Sequence, residues 1–402
     1  MWIGTEDMTM EQLIFFTNIE IAILGTIVFL FLVQLAYYTG IYAKPLRLAK
    51  RMNASADSSN GKDMPPVSVI VYAKNESENL KSNLPHILSQ TYPDYEVIVI
   101  NDGSTDESDE VLKRLENDNK HLYHTYIPEN VKYLSRKKLA LTVGIKAAKH
   151  DILLFTEANC YPKSNRWISS MVGPFTDGAD MVLGFSAYEC KKGFFHKLAA
   201  YDNLIIGIQY LASALIGHPF MGYGRNLAYR KNLFFEHKGY YKSLNLHAGD
   251  DDLFVNEVAT PTNTKAVFCP DSITEMIAID RFKVWKEMKV SRAATQKFYK
   301  GFSLSFYRIE SVSRFLFFAS IAAGIFLGVT GNPLVAGIAC FFGLLRLVIL
   351  LMVLHKSSLA LQQKPVTAWL PLLEIIQPLC NVYVRFYRIF RGKNDYTFRM
   401  QR

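Results

Sequence analysis

Three consecutive aspartates, Asp250, Asp251 and Asp252, come directly after a glycine, Gly249. Adjacent carboxylates repel one another unless a metal ion, an arginine or an acceptor hydroxyl shares their site, so the run points to binding or chemistry. The plainer reading is an exposed loop or a helix N-terminus, which favours negative charge. A second concentration of polar groups stands at the ends of two short apolar runs. Val67 to Tyr72 leads into Ala73, Lys74, Asn75 and Glu76, and Glu96 to Ile100 leads into Asn101, Asp102, Gly103 and Ser104. An aspartate at the end of a buried strand can accept hydrogen bonds from a base or a ribose, and Gly103 permits a sharp turn there. Ser104, Thr105 and Asp106 would serve equally well as ordinary helix caps.

The elements that must position these groups alternate. The spacing predicts a strand over 67–72, a helix over 76–90, a strand over 96–100 and a helix over 106–115. A helix over 137–149 and strands over 152–156 and 181–185 come next. Such alternation implies an α/β domain with a mostly parallel sheet covered by helices on both faces.

On either side of this domain the sequence turns apolar. Leu13 to Tyr38 contains one acid, Glu20, and is long enough to cross ~30 Å of hydrocarbon as a helix. The acidic Glu6, Asp7 and Glu11 ahead of it argue for an anchor over a cleaved signal peptide. Basic residues from Lys44 to Arg51 place the chain from residue 44 onward in the cytosol. Residues 52–65 are small and polar and read as a linker. Phe315 to Val329 and Leu334 to Leu354 suggest two further spans, after a basic amphipathic stretch from Arg281 to Lys300. Val366 to Val384 is interrupted by Pro371, Glu374 and Pro378 and ends in the basic run Arg385 to Arg391, which suits an interfacial or re-entrant segment. The expected organisation is an N-terminal anchor over 1–43, a basic segment and linker over 44–66, the α/β domain over 67–280, an interfacial segment over 281–312 and a membrane region over 313–402.

The formal charge of +9 over 402 residues could serve nucleic acid, but the basic residues gather beside apolar runs and suit a membrane surface and anionic phosphates better. The five cysteines are scattered, with no zinc spacing, and read as reduced.

Taken together, Ala73-Lys-Asn75-Glu76 and Asp102-Gly-Ser resemble the opening motifs of family 2 glycosyltransferases of the GT-A fold. The resemblance implies that Ala73, Asn75, Glu76, Asp102 and Lys137 lie on the donor-nucleotide side, Lys137 as a cation near the diphosphate. The family's Asp-x-Asp pair, which holds a divalent cation and the ribose, falls on Glu157-Ala158-Asn159. An asparagine carbonyl can replace one oxygen ligand for Mg²⁺ or Mn²⁺, at the loss of a formal charge. Gly224 and Asn226 fall on the acceptor-side loop. The aspartate run falls on the family's Glu-Asp motif, with Asp251 at the general base and Asp250 and Asp252 beside it. The family's Gln-x-x-Arg-Trp reads Lys289-Val-Ser-Arg292-Ala293, keeping the arginine that pairs with a diphosphate.

The implied function is inverting transfer of a sugar from a nucleotide donor, UDP being the family's commonest, to a lipid, lipid-linked or polysaccharide acceptor. The site would sit on the cytosolic face of an inner or plasma membrane. The alternative, motivated by the altered metal pair and final motif, is a non-catalytic relative that binds a nucleotide or a partner glycosyltransferase at the membrane.

Overall fold

The computed structural model describes residues 16–49, 64–128, 135–244 and 246–390. The acidic residues near the N-terminus, nearly all of the linker read at 52–65, and Arg391 lie outside them. Internal packing divides the chain into residues 44–304 with 356–402, and residues 1–43 with 305–355.

The larger unit is built on seven strands. They are β1 (Val67–Ala73), β2 (Tyr95–Asn101), β3 (Leu122–Tyr126), β4 (Ile152–Glu157), β6 (Met181–Leu183), β8 (Leu227–Arg230) and β9 (Thr264–Ala266), in the order β3-β2-β1-β4-β8-β6-β9. The first four are mutually parallel, and only β8 runs against its neighbours. A second sheet joins β5 (Cys160–Pro162), β10 (Thr274–Met276) and β7 (Ser186–Tyr188).

The period of two along β1 sorts its side chains. Val67, Val69 and Val71 join a core with Leu80, Leu84 and Ile87 of α2 (Ser77–Leu88), Val111 and Leu112 of α3 (Ser108–Asp118) and Trp167 of α5 (Trp167–Val172). Ile70 and Ile100 face the other way, onto Gly144 of α4 (Arg136–Ala147). Both sheet faces are therefore covered, which is why β1 and β2 read as unbroken apolar runs.

The longest helix of this unit, α6 (Phe194–Leu215), has the length and composition of a membrane span, yet 78% of its apolar window is buried within the protein. It packs on β7 and β9 as a core helix. After the short helices α7 (Lys231–Glu236) and α8 (Asp252–Val258) comes α9 (Phe282–Thr295), which packs on α12 (Leu370–Phe390). The inner face of α12 buries Leu370, Leu373, Glu374 and Gln377, while Leu372, Ile375, Leu379, Val382 and Phe386 stay exposed. The segment read as interfacial or re-entrant is thus a helix with an apolar outer stripe, and its Pro378 is accommodated within it.

The smaller unit contains α1 (Asn18–Leu35), running on as a π-helical turn over Ala36–Tyr42, with α10 (Ser303–Thr330) and most of α11 (Pro333–Ala360). Residues 18–49, α10 and α11 are each long and apolar enough to cross a membrane. The expected boundary at 312 falls inside α10. The lone acid of the first run closes a capping box. Glu20 accepts hydrogen bonds from the Thr17 amide (2.7 Å) and hydroxyl (2.9 Å), satisfying the helix start. Several polar groups inside this unit are paired: the guanidinium of Arg346 donates to Gln34 Oε1 (2.8 Å) and to the Tyr38 hydroxyl (3.1 Å), and Gln34 Nε2 donates to Ser313 Oγ (2.7 Å). Such bonds fix the register of these helices against one another.

Candidate active site

The strand order reverses beside β1, with β2 on one side and β4 on the other, and a crevice opens at the carboxyl ends of such strands. Tyr72 stands opposite Glu157 in the β1–β4 register, and Ala73 opposite Asn101 in β1–β2. Asp102 comes directly after, its amide donating to the Ala73 carbonyl (2.9 Å). Its buried carboxylate accepts from the Tyr72 hydroxyl (2.8 Å) and pairs with Arg136 at the start of α4 (2.7 Å). Gly103 turns the chain with φ +58°. Asn75, itself left-handed at φ +53°, ties the two strand ends together: its backbone amide donates to Ser104 Oγ and its side chain accepts from the Thr105 amide, both at 2.8 Å. Glu76 accepts from Asn79, and its carboxyl is raised by burial and by the charges of Glu157 and Asp106.

Across the crevice lies the aspartate run, whose members have separate fates. Lys137 of α4 reaches between two carboxylates, 2.7 Å from Glu157 and 3.0 Å from Asp250. Burial opposes its charge, but Asp250, Glu157 and Asp251 together hold it protonated well above the ordinary lysine range. Asp251 caps α8: its Oδ1 accepts from the Asp252 amide (2.7 Å) and its Oδ2 from the Gly224 amide (2.9 Å). Burial first, then the charges of Asp250 and Asp252, push its carboxyl up to about 7. Asp252 turns inward to Thr295 and the Tyr299 hydroxyl (2.7 Å) and ties α8 to the end of α9. Tyr72, Lys137, Glu157, Gly224, Asp250 and Asp251 line one small cavity. The run starts from Gly249, at φ +90°, where a Cβ would stand 2.5 Å from Leu253 Cδ1.

Two residues that carry no motif of their own support this arrangement. Lys138, next to Lys137 but buried on the other side of α4, donates to the carbonyls of Ser243, Leu246 (3.1 Å) and Ala248 (2.7 Å). It thereby holds the loop that delivers the aspartates, and burial pushes its pKa down to about 8. Arg225 is buried against the rings of Tyr188 and Tyr223, 4.9 and 4.8 Å from their centroids. A pair of adjacent lysines at a helix start carried a signal for the first; Arg225 lies between Gly224 and Asn226 on the expected acceptor-side loop, but nothing in the sequence marked it as buried.

The other expected residues divide between the crevice and the fold. Arg292 stacks 4.2 Å from the centroid of Tyr223. Lys289 turns from the crevice to Asp202 on α6, 2.5 Å away. The Asn226 side chain is fully engaged in the fold, accepting from Trp167 Nε1 (3.0 Å) and donating to the Phe185 and Ser272 carbonyls, both at 2.8 Å. Its closeness to Gly224 in sequence does not make it a ligand group.

For a divalent cation, Glu157 offers a carboxylate at the crevice, while Asn159 Oδ1 accepts from Cys160 and its carbonyl from the Ile277 amide (2.9 Å). The described residues contain no cluster of three or more His, Cys, Asp or Glu able to hold a metal. That set suits a cation such as Mg²⁺, which binds one or two protein oxygens and completes its shell from water and substrate phosphates.

A mostly parallel sheet, flanked by helices, with acidic and basic groups facing each other over the ends of β1, β2 and β4, defines a nucleotide-sugar transferase fold of the GT-A kind. Residues 68–237 match the model described as glycosyl transferase family 2. The chain is 32% identical over 124 residues to the glycosyltransferase AglE of Haloferax volcanii, a match taking in 30% of this chain and 39% of that protein. It is 28% identical over 137 residues to a poly-beta-1,6-N-acetyl-D-glucosamine synthase of Staphylococcus aureus, covering 34% of this chain and 29% of the synthase. The chain thus matches well under two thirds of either relative's length. Among solved structures, a mannosyltransferase of Pyrobaculum calidifontis in complex with GDP-Man and Mn²⁺ superimposes with a TM-score of 0.55 at 16% identity, over 92% of this chain and all of that one. This likeness establishes the shared fold.

Proposed function

We propose that this protein is an inverting glycosyltransferase that moves a sugar from a nucleotide diphosphate donor to a hydroxyl of a lipid-linked or glycan acceptor beside a membrane. The observation that carries the reading is Asp251, a carboxylate pushed up to about 7 and held by two backbone amides at the mouth of the crevice. A base titrating near neutrality matches proton removal from a hydroxyl. As the acceptor oxygen attacks the anomeric carbon, Asp251 takes its proton. The bond from that carbon to the diphosphate breaks, and the nucleotide diphosphate leaves with the electron pair. Lys137, poised between Glu157 and Asp250, offers its charge to the departing phosphates. Tyr72 and Asp102 bind the nucleoside side, with Arg136 holding the Asp102 carboxylate in place. A divalent cation held by Glu157 and the Asn159 side-chain amide oxygen would supply further charge neutralisation on the diphosphate.

Residues 18–49, α10 and α11 are read as the membrane anchors, and the basic residues from Lys44 onward as cytosolic, with UDP or GDP as donor nucleotides. The test is Asp251→Asn in the detergent-purified full chain. Calorimetric affinity for UDP or GDP should stay within about threefold of wild type, while turnover of nucleotide sugar falls at least about a hundredfold. Normal turnover would remove Asp251 from the reaction.

A further inference from the structure

Behind the Asp251 crevice the fold gathers two arginines without an ion-paired carboxylate. Arg225 is 4% exposed, and its polar contacts are Asn203 Oδ1 (3.3 Å) and the sulfur of Met276. Arg292 stacks on the same Tyr223 ring that Arg225 approaches. Among the described residues neither guanidinium has a carboxylate within ion-pairing distance. The nearby acids are engaged elsewhere: Asp202 receives Lys289 (2.5 Å) and Gln377 Nε2 (2.8 Å), and Asp252 receives Thr295 and Tyr299. The Tyr223 ring, on which both arginines stack, carries a hydroxyl without a hydrogen-bond partner among the described residues, and the residue is 6% exposed. Burial keeps that phenol protonated well above its ordinary range although both arginines pull the other way, so its hydrogen is available to donate.

A buried guanidinium, a second, half-buried one and an unpartnered buried hydroxyl are each costly to maintain, and one ligand would satisfy all three: an oxyanion accepting from Tyr223 and facing both arginines. We propose that Tyr223, Arg225 and Arg292 form a pocket for a phosphate group carried by the acceptor, placed next to the base through the Tyr223–Gly224–Arg225 segment. This rests on the reading of the protein as a transferase and selects a phosphate-bearing lipid-linked acceptor over a neutral polysaccharide.

The elements around the pocket favour the acceptor over the donor. The donor side is built from the ends of β1, β2 and β4, whereas Arg225 is held by Tyr188 of β7, Met276 of β10 and Asn203 of α6. The residue before Asn203 on α6 is Asp202, which binds both Lys289 of α9 and Gln377 of α12. The outer face of α12 is the exposed apolar stripe, and Lys286 of α9 stacks on its Tyr387, 3.8 Å from the ring centroid. A phosphate tethered to a hydrocarbon chain lying along α12 would reach the arginines over these same helices.

The experiment uses the detergent-purified full chain and calorimetric binding of farnesyl phosphate, farnesol, UDP and UMP to wild type, Tyr223→Phe and Arg292→Gln. Tyr223→Phe removes one unpartnered oxygen and keeps the ring on which the arginines stack, so its melting temperature should equal or exceed that of wild type. Wild type should bind farnesyl phosphate at least about tenfold more tightly than farnesol, and each variant should lose at least about tenfold for the phosphate alone. The ratio of UDP to UMP affinity should not move. Equal binding of farnesyl phosphate by wild type and both variants overturns the proposal. So does no preference for the phosphate over farnesol, and so does a loss confined to UDP, which would make the pocket part of the donor site. UMP binding reports the nucleoside end at Asp102 in every arm, so failure of the acceptor pocket is distinguishable from failure of the transferase reading.

Discussion

Replacing Lys138 with methionine separates the positioning of the aspartates from their chemistry. The ammonium serves three backbone carbonyls, and bonds from a charged donor are each worth about 1.5–3 kcal/mol. Against this stands the burden of a buried charge: a pKa of about 8 in place of 10.5 corresponds to about 3 kcal/mol at neutral pH. Methionine removes the charge penalty but would leave three carbonyls dry. The cheaper outcome is for the loop to open, because its residues Tyr241 and His247 already lie at the surface. Lys138→Met should therefore change global stability by no more than about 2 kcal/mol, yet speed amide exchange over residues 243–250 by roughly ten- to a hundredfold at pH 7 and cut transfer in parallel. Hydrogen exchange read by mass spectrometry on the detergent-purified chain measures this. The sign with pH is also fixed. The folded-state pKa lies below the unfolded one, so between about pH 8 and 10.5 the unfolded chain holds more protons, and wild type should gain stability relative to the variant as pH rises through that window. Unchanged exchange over 243–250 would refute the latch.

As the proposed base Asp251 would have to be ionised, so kcat/KM should rise about tenfold per pH unit below about 7 and level off above it. Asp250→Asn removes a like charge and should move the break to lower pH in a pH–rate profile; a shift upward would contradict the assigned cause. Chelation with EDTA should weaken UDP binding at least about tenfold in wild type and leave Glu157→Gln unchanged, measured by calorimetry; equal sensitivity of both would place the cation elsewhere.

The central strands were legible because their chemistry is redundant. Val67–Ala73 and Tyr95–Asn101 are buried on both faces, so apolar runs and polar ends mark them within a residue or two of the expected bounds. The three-residue strands β5, β7, β9 and β10 are too short to carry a period, and they are made by partners distant in sequence. The 22-residue α6 carries an apolar composition that its burial in the domain explains only once the fold is known. At the site, residue types indicated where charge gathers but not which way it faces. Lys137 and Lys138 are neighbours on one helix turned to opposite tasks, and Asp250, Asp251 and Asp252 divide among an ion pair, a cap and an inward tie. Lys289 and Asn226 matched a motif by position, while Asp202, Trp167 and the Phe185 and Ser272 carbonyls claim them through tertiary contacts.

The ion pairs of Lys137 give the crevice a resting state that is electrically closed. Its amine already pairs with both Glu157 and Asp250, so an incoming phosphate must compete with two carboxylates for one cation. A lone inorganic phosphate gains little from that exchange, whereas a ligand that also engages the nucleoside side recovers the lost pairing through other contacts. In the proposed transfer Lys137 would act as a threshold, making the first contact unrewarding to small anions unless the rest of the donor arrived with it.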